Sequence, residues 1–422
     1  MISNMIIPML GMVDIAIAGR LGEGPNIGAL SIGTTIFNFI YWNCAFLRMG
    51  TSGITAQAYG AGNLKECANM LVRSLWLALV IALLLLIFQQ PIGHIALRII
   101  QGSESAQQLA SEYFFARIWA VPASIGLFAI QGWFIGMQDA KTPMYISIMS
   151  VIMNGVFSIF FAFYLDMGIA GIGWGTVVAQ YTGLLASFIL WFIKYRHYMQ
   201  YANMKEALKL KPVIHFLHIN KDIFLRTACV VIVYTFFTAA SARFGDTILI
   251  TNALLMQLFT LFSYMSDGFA YAGEALSGRL VGEHNPVMLK RYIRYLIFWA
   301  LVIAAIYVII YLIAWKQILM IFSPADEILQ TAGYFIGWII AVPLAGCIPF
   351  MIDGIMIGAT KTKLLRNTVF MSTLLFFATF YSLVSAYGNN ALWIAFLVFL
   401  LARGILLYIG SDRLNVHRIM ER

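Results

Sequence analysis

Residues 296–315 read LIFWALVIAAIYVIIYLIAW, twenty positions without one ionisable side chain. At about 1.5 Å per residue, a helix of that length is about 30 Å long, the hydrocarbon thickness of a bilayer. Lipid offers no partner to backbone N–H and C=O groups, so an isolated apolar run of this length crosses as a helix. The rest of the chain agrees with this stretch. Of 422 residues 61% are hydrophobic and 11% charged, against about one quarter charged in soluble domains. A water-soluble fold has no place to hide that much apolar surface.

Working outward from this run, Gly, Pro and charge breaks divide the chain into twelve spans. They cover residues 1–20, 27–59, 68–95, 106–137, 143–165, 168–194, 221–244, 247–279, 289–315, 326–358, 364–387 and 390–411. The fold class is therefore all-α, a polytopic membrane protein of about twelve transmembrane helices. The expected domains are an N-terminal six-helix bundle over 1–195, a cytoplasmic linker over 196–220, a C-terminal six-helix bundle over 221–411 and a cytoplasmic tail over 412–422. With the N-terminus inside, the linker with Lys205, Lys209 and Lys211, the connections with Lys65, Lys141, Lys290, Arg291, Arg294, Lys361, Lys363 and Arg366, and the tail all fall on one side. Arg20, Arg98, Arg117, Arg243 and Lys316 are placed in or near the opposite connections. The positive-inside rule makes the basic side cytoplasmic, with both termini there and the chain in the cell's inner membrane. No basic residue precedes Arg20 and Asp14 interrupts the apolar start, which argues against a cleaved signal peptide. The first helix is expected to be short or incomplete at its inner end.

The two halves resemble each other. Tyr113-Phe114 and Ala120-Val121-Pro122 recur 221 residues later as Tyr334-Phe335 and Ala341-Val342-Pro343. Gly132 and Gly136 recur as Gly354 and Gly358, and Gly53 and Gly62 are matched with Gly273 and Gly282. Six spans per half make the repeat parallel, an architecture of secondary transporters.

Ionisable residues inside spans mark substrate or ion paths, because they are costly there. Four acids qualify: Asp14, Asp267, Glu274 and Asp353. Asp14 lies eight residues before Gly22, roughly 12 Å below the membrane surface in a helix. Pro8, six residues earlier, lacks the N–H that would bond to Asn4 and predisposes this helix to bend. Asp14 is read as functional rather than as the partner of Arg48. Glu274 and Asp353 are divided between function and structural hydrogen bonding, and Asp267 is read as structural. Gln131 stands where the repeat puts Asp353. Asn154, alone in the fifth span, reads on its own as interhelical glue.

Several function classes drop out. The net charge of +9 comes from connections and not from a basic stripe, so no nucleic-acid partner is implied. The four cysteines are scattered through or beside apolar spans, which gives neither a disulfide framework nor a zinc site. There is no HExxH, GxSxG or Walker A motif, so neither enzymatic hydrolysis nor ATP-driven transport is indicated.

The chain resembles the multidrug and toxic compound extrusion (MATE) transporters, and more narrowly their DinF-like branch. The resemblance is carried by Pro8-Met9-Leu10-Gly11-Met12-Val13-Asp14 with Ala18-Gly19, by Phe46-Leu47-Arg48-Met49-Gly50-Thr51 and Thr55-Ala56-Gln57-Ala58, by Asp267-Gly268-Phe269-Ala270 with Glu274-Ala275-Leu276 and Gly278, and by Asp353-Gly354 with Ile357-Gly358-Ala359-Thr360. It implies two six-helix bundles, alternating access, and export of organic cations or amphipathic compounds in exchange for protons or sodium ions. The family's span-one aspartate carries over to Asp14 and its span-five asparagine to Asn154, as the cation-coupling pair. Glu274, Asp353, Asp267 and Gln131 become candidates for the substrate cavity or secondary coupling. Ser158 stands where relatives often have an aspartate, and residues 223–244 contain no acid, so protons are preferred over sodium. No cofactor is expected beyond the coupling ion. The partners are small cationic or amphipathic molecules and the bilayer, and the chain is expected to be a monomer. A lipid-linked precursor flippase is the alternative with the same architecture, but Arg48, Arg117 and Arg403 are too dispersed for a lipid-headgroup cavity.

Overall fold

A computed structural model describes residues 11, 13–21, 25–100, 103–322, 326–411, 416 and 419. The described residues are almost wholly helical and include no strand. Residues 13–20 form α1. The N-terminal half continues with α2 (Pro25–Cys44), α3 (Phe46–Gly60), α4 (Leu64–Ile87), α5 (Gln89–Ile99), α6 (Glu104–Arg117), α7 (Val121–Gly136), α8 (Lys141–Ile159), α9 (Gly168–Tyr195) and the single turn α10 (Met204–Ala207). The rest comprises α11 (Leu210–Ser241), α12 (Asp246–Gly282), α13 (Pro286–Phe322), α14 (Asp326–Gly358), α15 (Thr362–Tyr387) and α16 (Asn389–Gly410). Among them are eleven segments long and apolar enough to cross a membrane, in the order anticipated for spans two to twelve. Most of the first span, Pro8 included, lies outside the described residues.

The packing is that of a protein whose solvent is lipid. On α13, Phe298, Trp299, Leu301, Ile306, Ile309, Leu312 and Ile313 point outward, while Thr51, Ser52, Thr55, Asn154, Thr176 and Ser277 are buried. Some of these join helices, Asn154 Nδ2 donating to Thr176 Oγ1 and Ser277 Oγ to the Ile355 carbonyl, as expected where the surroundings are apolar.

The chain divides into two compact units, residues 2–220 and 221–422. In the first, one core gathers Phe37, Tyr113, Phe114, Ile118, Ile125 and Phe216. A second core near the ends of α7 and α9 centres on Trp133, whose indole N–H donates to the Cys67 carbonyl at 2.8 Å. In the second unit, Asn252 of α12 donates to Ser241 and Asn389, and its amide oxygen accepts from Asn389 and from the Trp393 indole.

Two boundaries differ from the sequence expectation. Residues 196–220, read as a linker, are largely helical, and α11 starts at Leu210, before the span expected from residue 221. Phe216 and Ile219 are apolar enough to bury, and Gly50 leaves room for Asn220, whose carboxamide oxygen would lie 2.4 Å from a Cβ there. The turn before it is pinned to α4: Asn69 accepts the N–H of Asn203, Arg73 Nε donates to the Ala207 carbonyl, and Lys65 pairs with Glu206 at 2.6 Å. The repeat register is also corrected in spans two and eight. The positive-φ residues Gly62, Gln138 and Asp166 recur as His284, Thr360 and Gly388, each 222 residues later. In the same register, a Cβ on Gly132 would meet the Arg48 carbonyl at 2.4 Å and one on Gly354 the Ala270 carbonyl at 2.3 Å. Ser52 thus corresponds to Glu274, and pairing Gly53 with Gly273 is two residues out. Shared glycines mislead there because the constraint is the backbone contact, not the glycine count along the helix.

Candidate functional site

Three helices of the N-terminal unit converge on Asp14. Its segment packs on α8 where Val13 reaches Gly155, at 3.5 Å from the position a Cβ there would take. Asp14 is 3% exposed and its carboxylate meets the Asn154 side chain. Asn154, fully buried, donates through Nδ2 to Thr176 Oγ1 at 3.0 Å, and that hydroxyl donates to the Ile172 carbonyl at 3.1 Å. Ser158, one turn after Asn154, also reaches the Ile172 carbonyl, at 3.5 Å. Helices α8 and α9 come this close because Gly175 faces Ser158, whose Cα would lie 2.5 Å from a Cβ on that glycine. Two acceptors, Asp14 Oδ1 and Asn154 Oδ1, find no hydrogen-bond donor among the described residues. Unsatisfied buried acceptors are costly, and a proton on Asp14 would turn one acceptor into a donor.

Arg117 belongs to the span expected over residues 106–137, where α6, a three-residue 3-10 turn over Ile118–Ala120 and α7 make one continuous segment, Glu104–Gly136. Arg117 falls inside that span and is 6% exposed. Its guanidinium donates to the Tyr113 hydroxyl and lies 4.8 Å from the Phe37 ring centroid. It acts electrostatically on Asp14, Tyr41 and Tyr113.

The C-terminal unit treats its acids differently. Asp353 of α14 accepts on Oδ2 from Arg226 of α11 and from Arg403 of α16, the latter at 2.5 Å. Arg403 is 1% exposed and also rests on the rings of Phe350 and Phe399. Asp353 is therefore a cross-link of three helices, which favours the structural side of the sequence reading. Arg226 escaped notice although it is an ionisable residue in an apolar span, the signal that singled out the acids. Glu274 is buried on α12, with its carbonyl 2.2 Å from where a Cβ on Gly358 would stand. Asp267, half-buried, acts electrostatically on Tyr234 and Tyr264. Gln131 on α7 is half-buried. The structure thus brings Asp14 and Asn154 together, with Thr176 added. Among the described residues, no group of three or more His, Cys, Asp or Glu side chains could hold a metal ion.

The MatE family model matches residues 1–160 and 223–382. The chain belongs to the MatE family. This MatE protein is 33% identical to the DNA damage-inducible protein F of Escherichia coli (strain K12) over 416 residues, covering 96% of this chain and 88% of that one. It is 21% identical to Protein DETOXIFICATION 44, chloroplastic, of Arabidopsis thaliana over 422 residues, covering 97% and 79%. Among solved structures, a MATE in the bent conformation superposes with a TM-score of 0.88 at 18% identity over 99% of this chain and 93% of that one. An outward-facing multidrug resistance MATE family transporter of the MOP superfamily gives 0.87 at 20% identity, over 100% and 95%. The DinF-like resemblance read from the motifs holds, as does the all-α membrane fold. This MatE protein is a multi-pass membrane transporter of small molecules and not an enzyme.

Proposed function

We propose that this MatE protein is a proton-coupled antiporter that exports cationic or amphipathic organic molecules by alternating access, with Asp14 as the coupling carboxylate. The observation that carries the reading is the pair of acceptors, Asp14 Oδ1 and Asn154 Oδ1, without a donor among the described residues. The charged acid leaves both oxygens unsatisfied, and the protonated acid supplies the missing hydrogen, so the two protonation states differ in what they ask of α1 and α8. Asp353 suits coupling less well in this reading, since two guanidiniums already hold it. The basic connections support an orientation with the linker and both termini on the cytoplasmic side of the inner membrane. The test uses purified protein in liposomes under an imposed proton or sodium gradient. A proton gradient is expected to drive efflux in the parent, and Asp14→Asn, which keeps size and hydrogen bonding, is expected to fall to the protein-free background. Efflux by that variant at the parent rate under the proton gradient would overturn the assignment, and efflux driven only by sodium would replace the ion.

A further inference from the structure

We propose that the Arg226–Asp353–Arg403 cluster of the C-terminal unit is a binding site for an anionic group, the carboxylate, sulfonate or phosphate of an amphipathic molecule. The transport role of this site rests on the reading of the protein as an exporter of amphipathic molecules; its binding does not. Arg226 comes from α11, Asp353 from α14 and Arg403 from α16. Both guanidiniums donate to the same oxygen, Asp353 Oδ2, and Asp353 is the only ion-pair partner of either one among the described residues. One carboxylate therefore answers two cations. Arginine stays protonated at all working pH values, so one positive charge is left over. It is left where the side chains of Arg403, Asp353 and Arg226 are 1%, 5% and 13% exposed, and a buried charge without a counter-ion is costly.

Hydrogen-bond donors are in excess as well. A guanidinium carries its N–H groups in a rigid fork, and Nε of Arg226 and Nε of Arg403 both lack an acceptor among the described residues. Asp353 Oδ1 has no donor there either, so neither fork has closed on the carboxylate. An anionic group brings acceptors in the geometry that guanidinium fits best, two parallel N–H···O bonds. Arg403 is held 5.6 Å from the Phe350 ring centroid and 5.4 Å from that of Phe399. Next to it, Gly404 lets α16 approach the Pro349 ring, 3.2 Å from where a Cβ would stand. Ring faces attract a cation without cancelling its charge, and they set apolar surface beside it, which suits an amphipath. Arg226, the more exposed of the two, is the guanidinium that an incoming anion meets first. Along the chain these arginines look dispersed; through Asp353 the fold brings two of them to one atom.

The experiment compares two fluorescent probes of matching body and opposite charge, dansylglycine with a carboxylate and dansylcadaverine with an ammonium group. Their anisotropy is followed with purified full-length protein in an uncharged detergent and no ion gradient. The parent is expected to bind dansylglycine saturably. Arg226→Gln is expected to weaken that binding about tenfold or more while dansylcadaverine stays within about twofold of the parent. Asp353→Asn, which removes the competing charge at nearly constant size, is expected to tighten dansylglycine binding, and Arg226→Lys to retain most of it. Equal losses of both probes in Arg226→Gln, or dansylglycine affinity that does not rise in folded Asp353→Asn, would reduce the cluster to a helix cross-link and overturn the site. So would a parent without saturable dansylglycine binding, an outcome that depends on no variant folding. Displacement of dansylglycine by phosphatidylglycerol but not by phosphatidylcholine would assign the anionic group to a lipid headgroup, and absence of displacement to a free amphipath. Dansylglycine bound with this variant pattern but not exported from liposomes under a proton gradient would sink the export reading for such anions and leave the binding site in place.

Discussion

A carboxylate in this protein takes its role from the donors around it, and three aspartates show the range. Asp353 has two guanidiniums and serves as a cross-link. Asp14 has an amide beside it instead of two guanidiniums, and like Asp353 it keeps one oxygen, Oδ1, without a donor among the described residues. Asp139 lies in the connection before α8, where it accepts from the Thr142 N–H at 3.0 Å, from the Thr142 hydroxyl at 2.6 Å and from Lys194 at 3.0 Å. Partial burial opposes ionisation of Asp139, but these three donors outweigh it and hold the carboxyl below its ordinary range. Because the folded value is depressed, the stabilisation is complete above the unfolded value of about 3.9 and is lost as pH falls through the folded one. The thermal-stability difference between the parent and Asp139→Asn is therefore expected to be largest near neutral pH and to shrink below about pH 4. Parallel curves across that range would show that Asp139 contributes no titrating stabilisation. The four intramembrane acids were legible as single letters because each interrupts an apolar run. Which of them is paired was not, since Arg226 and Arg403 lie 127 and 50 residues from Asp353.

At the scale of helices, close backbone approach decides where glycine is required. The α3 and α7 pair touches through Gly132 and Gly136, and the α12 and α14 pair through Gly354 and Gly358. In each case a Cβ would stand within 3 Å of a facing backbone carbonyl, which cannot swing aside like a side-chain end. Gly354→Ala is expected to destabilise the protein by about 1–3 kcal/mol in thermal unfolding in detergent. Gly337→Ala, on the same helix but with nothing within 4 Å, is the control and is expected to match the parent or exceed it slightly. Equal midpoints for the two variants would refute the close-approach argument. The repeat copies are not identical as elements. In the first copy a 3-10 turn over Ile118–Ala120 precedes Pro122, whereas in the second copy α14 runs unbroken from Asp326 to Gly358 past Pro343 and Pro349. Similar motifs thus yield one span with a tighter 3-10 turn after Arg117 and one that is α-helical throughout.

For the whole molecule, orientation is the property that the charge distribution addresses most directly. The turn at Met204–Ala207 and its anchors on α4 belong to the proposed cytoplasmic face. A cysteine at Asn203 is therefore expected to react with a membrane-impermeant thiol reagent in inside-out vesicles and not in intact cells; labelling from outside would reverse the topology. Span number, span order and membrane residence followed from the sequence by itself, because hydrocarbon length and the absence of backbone partners in lipid act on contiguous residues. So did the existence of a repeat, although its register came out two residues off in one span pair until turn positions with positive φ fixed it at 222. Family membership was visible in short motifs for the same local reason. Tertiary structure alone decided the company each charge keeps: Asp14 with Asn154 and Thr176, and Asp353 with Arg226 and Arg403. Helical packing brings residues from distant turns face to face, and the energy of a buried charge depends on those neighbours, which no reading along the chain contains.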